Sequence, residues 1–113
     1  MTFRLGSLNH AKGFVINKLY EQHRFGAKHL AVEDLVTGYK PQWLGLLKQA
    51  IDELQTEGII LIQKKRTRGG YGDHATLVWG RLDGARGLLN GFRKSASLPT
   101  LGKDLKTLLP VKK

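Results

Sequence analysis

The sequence predicts a small α+β domain in which a set of helices leads into a β-hairpin, followed by a C-terminal extension. Two observations carry this. Within residues 41–62 the apolar spacing changes from helical to extended. Leu44, Leu47, Ile51 and Leu54 recur at helical steps, Gly58 follows, and Ile59, Ile60, Leu61 and Ile62 form an unbroken isoleucine-rich run. Residues 63–74, QKKRTRGGYGDH, then combine four cations with three glycines before the β-prone ATLVW of residues 75–79. No packed core accepts that run. A hairpin tip does, because glycine supplies positive φ angles and the cations stay in water.

A chain of 113 residues with 41% hydrophobic content is expected to form one domain with a modest core, without covalent staples. It has no cysteine, which excludes disulfides, thiolate nucleophiles and cysteine zinc sites and fits a reducing compartment. Its apolar runs fall far short of the roughly 20 residues of a membrane helix, and the opening MTFRLGSLNHAKG lacks the apolar centre of a signal peptide. The expected location is cytoplasmic or nucleoid-associated, with no membrane partner. Net charge is +10, unevenly spread. Residues 1–62 hold seven basic and six acidic side chains, whereas residues 63–113 hold twelve against three. Such asymmetry points to a polyanionic partner, most often nucleic acid.

Taken in order, residues 1–6 form a short lead. Asn9 is the predicted N-cap of a first helix running to about Arg24, with Phe14, Val15, Ile16, Leu19 and Tyr20 on its apolar face and Gly26 as its stop. Gly13 costs this helix about 1 kcal/mol relative to alanine, so packing must support it. Residues 28–31 predict a short strand that pairs with the later hairpin. Residues 32–36 predict a brief second helix, with Glu33 and Asp34 where the helix dipole favours carboxylates. Residues 37–40 break it, and Pro41 opens a third helix that Gly58 ends. Beyond Gly80, residues 81–97 read either as a glycine-spaced helix carrying Leu88, Leu89 and Phe92 or as an irregular strap over the core, with the helix favoured. The predicted domain covers residues 1–97, with a core at about 9–80. Residues 98–113 form a basic tail whose leucines fall at helical steps.

The order of helix, short strand, short helix, turn, longer helix and two strands around a basic loop resembles the winged helix-turn-helix family of DNA-binding domains. Residues 28–79 carry the resemblance, most of all the helix ending LQTEG followed directly by GIILI. It implies a small winged helix: a three-helix core with a β-hairpin wing, the third helix in the major groove and the wing on the backbone or minor groove. Two departures stand out. Ala31 occupies the position where such domains often place a capping Ser or Thr. The outward face of the third helix offers Gln42, Lys48 and Gln49 near its start but Asp52, Glu53 and Glu57 towards its end.

The candidate nucleic-acid contacts fall into two groups. In the wing, Lys64 and Lys65 are placed to neutralise phosphates, Arg66 and Arg68 to enter a minor groove, and Tyr71 to stack on an unpaired base or pack on the hairpin. On the third helix, Gln42, Gly45, Lys48 and Gln49 share one side, with Lys40 just before it. Glutamine pairs bidentately with adenine, and Gly45 lets the backbone approach a duplex closely. Trp43 and Trp79 read as core or interface residues. His10, His23, His29 and His74 show no ligand spacing, and RGGYG matches no phosphate-binding loop, so no metal, cofactor or enzymatic activity is expected; Asp73-His74 reads as turn chemistry. The expected function is duplex DNA binding by a small transcriptional regulator, architectural protein or replication accessory. The alternatives are an RNA or ribosome binder on the same fold, and a protein docking module using the acidic end of the third helix. The leucine-spaced tail makes a homodimer a further expectation.

Overall fold

The computed structural model describes residues 6–25, 28, 30–67, 70–78 and 81–98. Within them the chain runs α1 (Leu8–Glu21), β1 (Leu30–Ala31), α2 (Val32–Leu35), a 3-10 turn (Pro41–Trp43), α3 (Leu44–Thr56), β2 (Ile60–Thr67), β3 (Gly70–Leu77) and α4 (Leu82–Ser95). The domain is α+β, with four helices and a three-stranded antiparallel sheet in the order β1-β3-β2. The expected tail from Pro99 onward, the lead at residues 1–5, and Gly26, His29, Arg68, Trp79 and Gly80 lie outside the described residues.

Helix α1 is the centre of the core. Ala11, Val15, Ile16, Leu19 and Tyr20 are buried, and so are His10, Lys12, Gly13 and Asn17, because α3 packs on one side of the helix and α4 on another. Its N-cap is Ser7 rather than Asn9: the Ser7 hydroxyl accepts a hydrogen bond from the His10 amide at 3.1 Å, which satisfies a donor of the first turn. The helix ends at Glu21, earlier than Arg24, where His23 takes a left-handed φ of 59°. Gly13 sits where α4 crosses. A Cβ there would lie 2.5 Å from the Phe92 Cβ and 2.6 Å from the Leu88 carbonyl oxygen, so the helix tolerates a glycine in exchange for a close crossing. Ala85 and Leu89 of α4 join the same core. Arg93, also buried, donates to Asn17 Oδ1 at 2.7 Å and Glu21 Oε2 at 3.0 Å on α1.

The short strand and the short second helix form as expected, and Ala31 precedes α2 without a side-chain cap. The Lys18 ammonium, from α1, instead donates to the carbonyl oxygens of Asp34, at 2.7 Å, and Thr37 at the end of α2 and in its turn. A cation suits the negative end of a helix. In α3, Leu47, Ile51 and Leu54 form the buried stripe, each contributing about 1.5–3 kcal/mol on burial. Leu44 does not belong to it: the helix opens with a 3-10 turn, which shifts the phase of the first residues and leaves Leu44 37% exposed. Gly58, at φ 78°, ends α3 and turns the chain into β2.

The hairpin is longer than the sequence predicts. β2 runs four or more residues past the apolar run, to Thr67, and β3 begins at Gly70, with Thr67 opposite Gly70 and Arg66 opposite Tyr71. Most of the basic stretch is therefore strand, not tip. Backbone pairing across the antiparallel ladder extends where neither side is apolar. Asp73 and His74 lie within β3, opposite Lys64 and Gln63, and His74 also faces Ala31 of β1, so they are sheet residues rather than turn residues. Thr76 anchors β3 to the chain leaving α1: its hydroxyl lies 3.1 Å from the Arg24 carbonyl and 2.6 Å from that of Lys28.

Candidate nucleic-acid interface

Lys40, Gln42, Gly45, Lys48 and Gln49 are all exposed, along the approach to α3 and its first two turns. Gly45, Lys48 and Gln49 share a side of α3 because Leu47, Ala50, Ile51 and Leu54 fix the opposite one against the core, while Lys40 and Gln42 precede the helix, before and within the 3-10 turn. Among the described residues, nothing beyond its chain neighbours and its own helix backbone lies within 4 Å of a Cβ built on Gly45, so at that point the helix surface is open. Trp43, half-buried, packs against the core just before α3.

The acidic residues of α3 divide differently from the sequence expectation. Asp52 is exposed. Glu53 and Glu57 instead turn towards α1, where the Lys12 ammonium lies 3.0 Å from Glu53 Oε1 and 3.0 Å from Glu57 Oε2. Lys12 is only 7% exposed. Burial works against its charge, but the two carboxylates outweigh burial and raise its pKa. The hydrogen bond from Lys12, joined by one from Gln49, holds the Glu53 carboxyl below its ordinary range. Gln49 Nε2 donates to Glu53 Oε2 at 3.2 Å. Of the α3 candidates, then, Gln49 is tied to the protein, and two of the three acids share one internal counter-ion, which offsets one of their two charges.

On the hairpin, Lys64 is exposed and pairs with Asp73 across the strands at 3.3 Å, its directly opposite residue. At this exposure the pair contributes little to stability, and the ammonium is readily released to another anion. Lys65 and Arg66 continue β2, opposite Gly72 and Tyr71, and Arg68 lies outside the described residues. β2 is an edge strand, since β3 separates it from β1.

Lys12 escapes a sequence reading because it precedes Glu57 by 45 residues. The only local hint of the network is the four-residue step from Gln49 to Glu53 to Glu57. A separate cleft of about 250 Å³, floored by Phe14 and Phe92 and edged by Asn17, Lys18, Glu21 and Thr37, takes none of its lining from α3 or the hairpin. Among the described residues no helix is long and apolar enough to cross a membrane. No protein-family model, curated protein or solved structure matches the chain.

Proposed function

We propose that the chain is a winged helix that binds double-stranded DNA, with α3 against the major groove and the β2–β3 hairpin on the flanking backbone or minor groove. The order α1-β1-α2-α3-β2-β3 and the sheet order β1-β3-β2 support this, as does the concentration of cations from β2 onward. The observation that carries the proposal is the division of α3. Gln42, Gly45, Lys48 and Gln49 face solvent, while Glu53 and Glu57, whose charges would repel phosphate, are engaged by Lys12. Neutralisation of phosphates by lysine and arginine supplies most of the affinity, and a few groove contacts supply preference. A regulator of transcription, an architectural protein and a replication accessory all employ this act of binding.

The test is fluorescence anisotropy of a labelled duplex across a salt titration, beside single-stranded DNA and an RNA hairpin. The expected result is duplex binding whose log K falls against log salt with a slope of roughly −4 or steeper. Joint Arg66→Ala and Arg68→Ala substitution should flatten that slope by about 2. A preference for the RNA hairpin at equal salt reassigns the same surface to an A-form backbone. Absence of binding to all three overturns the proposal and directs the basic half of the chain to a protein.

A further inference from the structure

The tie between Gln49 and Glu53 has a chemical direction. Glu53 is an ionised carboxylate held by Lys12 and accepts hydrogen bonds only, so the nitrogen of the Gln49 amide, and not its oxygen, must face it. That settles which way round the amide stands. A glutamine amide carries two N–H protons, one on the side of its own oxygen and one on the far side. A bidentate pair with adenine uses the oxygen, accepting from N6, and the N–H beside it, donating to N7. The far N–H takes no part and is the one that Glu53 can hold without competing. Glu53 in turn does not swing freely, because its other oxygen lies 3.0 Å from the Lys12 ammonium, which is buried in α1 and also braced by Glu57.

We propose that Lys12 and Glu53 are positioning residues for base readout: Lys12 fixes the Glu53 carboxylate, Glu53 fixes the Gln49 amide, and Gln49 meets the duplex with its adenine-reading edge already set. The proposal rests on the duplex-binding function above. It places the determinant of specificity partly inside the domain, on α1 behind the reading helix. Preorganisation of this kind strengthens pairing with the preferred base, because the rotamer entropy of the reading side chain is lost before binding, and discrimination rises because other sites do not use that pairing.

The experiment is selection of binding sites from a randomised duplex library by the full chain, comparing wild type with Gln49→Ala, Glu53→Ala, Glu53→Gln and Lys12→Met. Wild type should select adenine at one position with ~5- to 150-fold discrimination, the span of a bidentate pair. Gln49→Ala should abolish that preference. Glu53→Ala should reduce it by about 5-fold or more, while affinity for a non-selected duplex rises modestly because a carboxylate near the phosphates is lost; a merely structural role would lower that affinity and the melting temperature instead. Glu53→Gln keeps an oxygen for Gln49 to donate to and should retain part of the preference. Lys12→Met should reduce the preference as Glu53→Ala does, but lower rather than raise affinity for a non-selected duplex, because Glu53 and Glu57 lose their counter-ion; if it fails to fold the two Glu53 variants still decide. An adenine preference untouched by Glu53→Ala, or a wild type that binds duplexes without preference, overturns the positioning role and leaves duplex binding standing. A wild type that binds no duplex overturns both.

Discussion

Helices α1 and α3 are nearly the same length, 14 and 13 residues, and both carry polar side chains along most of their course, yet they use them in opposite ways. α1 is covered by α3 and α4, and its polar groups turn to neighbours: His10 to the Tyr39 hydroxyl, Lys12 to two carboxylates, Asn17 to Arg93, and Lys18 to the end of α2. α3 is covered on one side only: Lys48, and Gln42 in the turn before the helix, are exposed, and the exposed Gln49 reaches Glu53 of its own helix. The difference teaches that residue type does not separate polar groups engaged within the domain from those left at its surface. What separates them is how many elements cover the helix that bears them.

Two glycine substitutions put this contrast under the largest strain. Gly13→Ala drives a methyl group into the α4 backbone, where nothing can move aside cheaply. Overpacking costs about 1–3 kcal/mol against a helix-propensity gain of about 1 kcal/mol, so a net loss of about 1 kcal/mol, reaching at most about 2 kcal/mol, is expected in urea denaturation. Gly45→Ala on α3 meets open space and should raise stability by about 0.5–1 kcal/mol, while weakening duplex binding by holding the backbone off the groove. Equal effects from the two alanines would break the comparison.

A smaller effect belongs to His10. Burial lowers its pKa below the ordinary 6.5, with Nδ1 lying 2.9 Å from the Tyr39 hydroxyl and the ring packed near Phe92. The folded state therefore prefers the neutral imidazole. The stability this confers is present above the unfolded-state pKa and is lost as pH falls through the folded one. The melting temperature should decline from pH 7 to pH 5, and His10→Asn should flatten that decline. The smallest effect on stability falls on α3: Lys48→Ala with Gln49→Ala should change unfolding free energy by no more than about 0.5 kcal/mol, while duplex affinity falls. A stability loss as large as that of Gly13→Ala would mean that this face is packed.

The elements that face solvent on one side were the legible ones. The step from a helical stripe through Gly58 to an isoleucine run announced α3 and β2 directly. α1 was harder, because two-sided burial leaves no single stripe, and Ser7 and Asn9 are both good caps two residues apart; the hydrogen bond to His10 decides between them. α4 carries glycines that argue against a helix in isolation, and its crossing over Gly13 supplies the packing that sequence cannot display. The strands reach past the isoleucines because ladder pairing needs no apolar side chain, so a cationic run read as a loop. In the candidate interface, exposure of Gln42, Lys48 and Gln49 followed from periodicity. The inward turn of Glu53 and Glu57 did not, since its cause, Lys12, lies on a distant helix.

The position of β2 at the margin of the sheet has a consequence for how the protein behaves in concentrated solution. An unpaired strand edge invites a second copy to add its own strand, the first step of ordered aggregation. Lys64 is exposed on this strand and is followed in sequence by two further cations, so a strand added from a second copy brings like charges together. The same cations that suit a polyanion thus act as a guard on the exposed edge, and screening them with salt should be the condition under which the chain begins to self-associate.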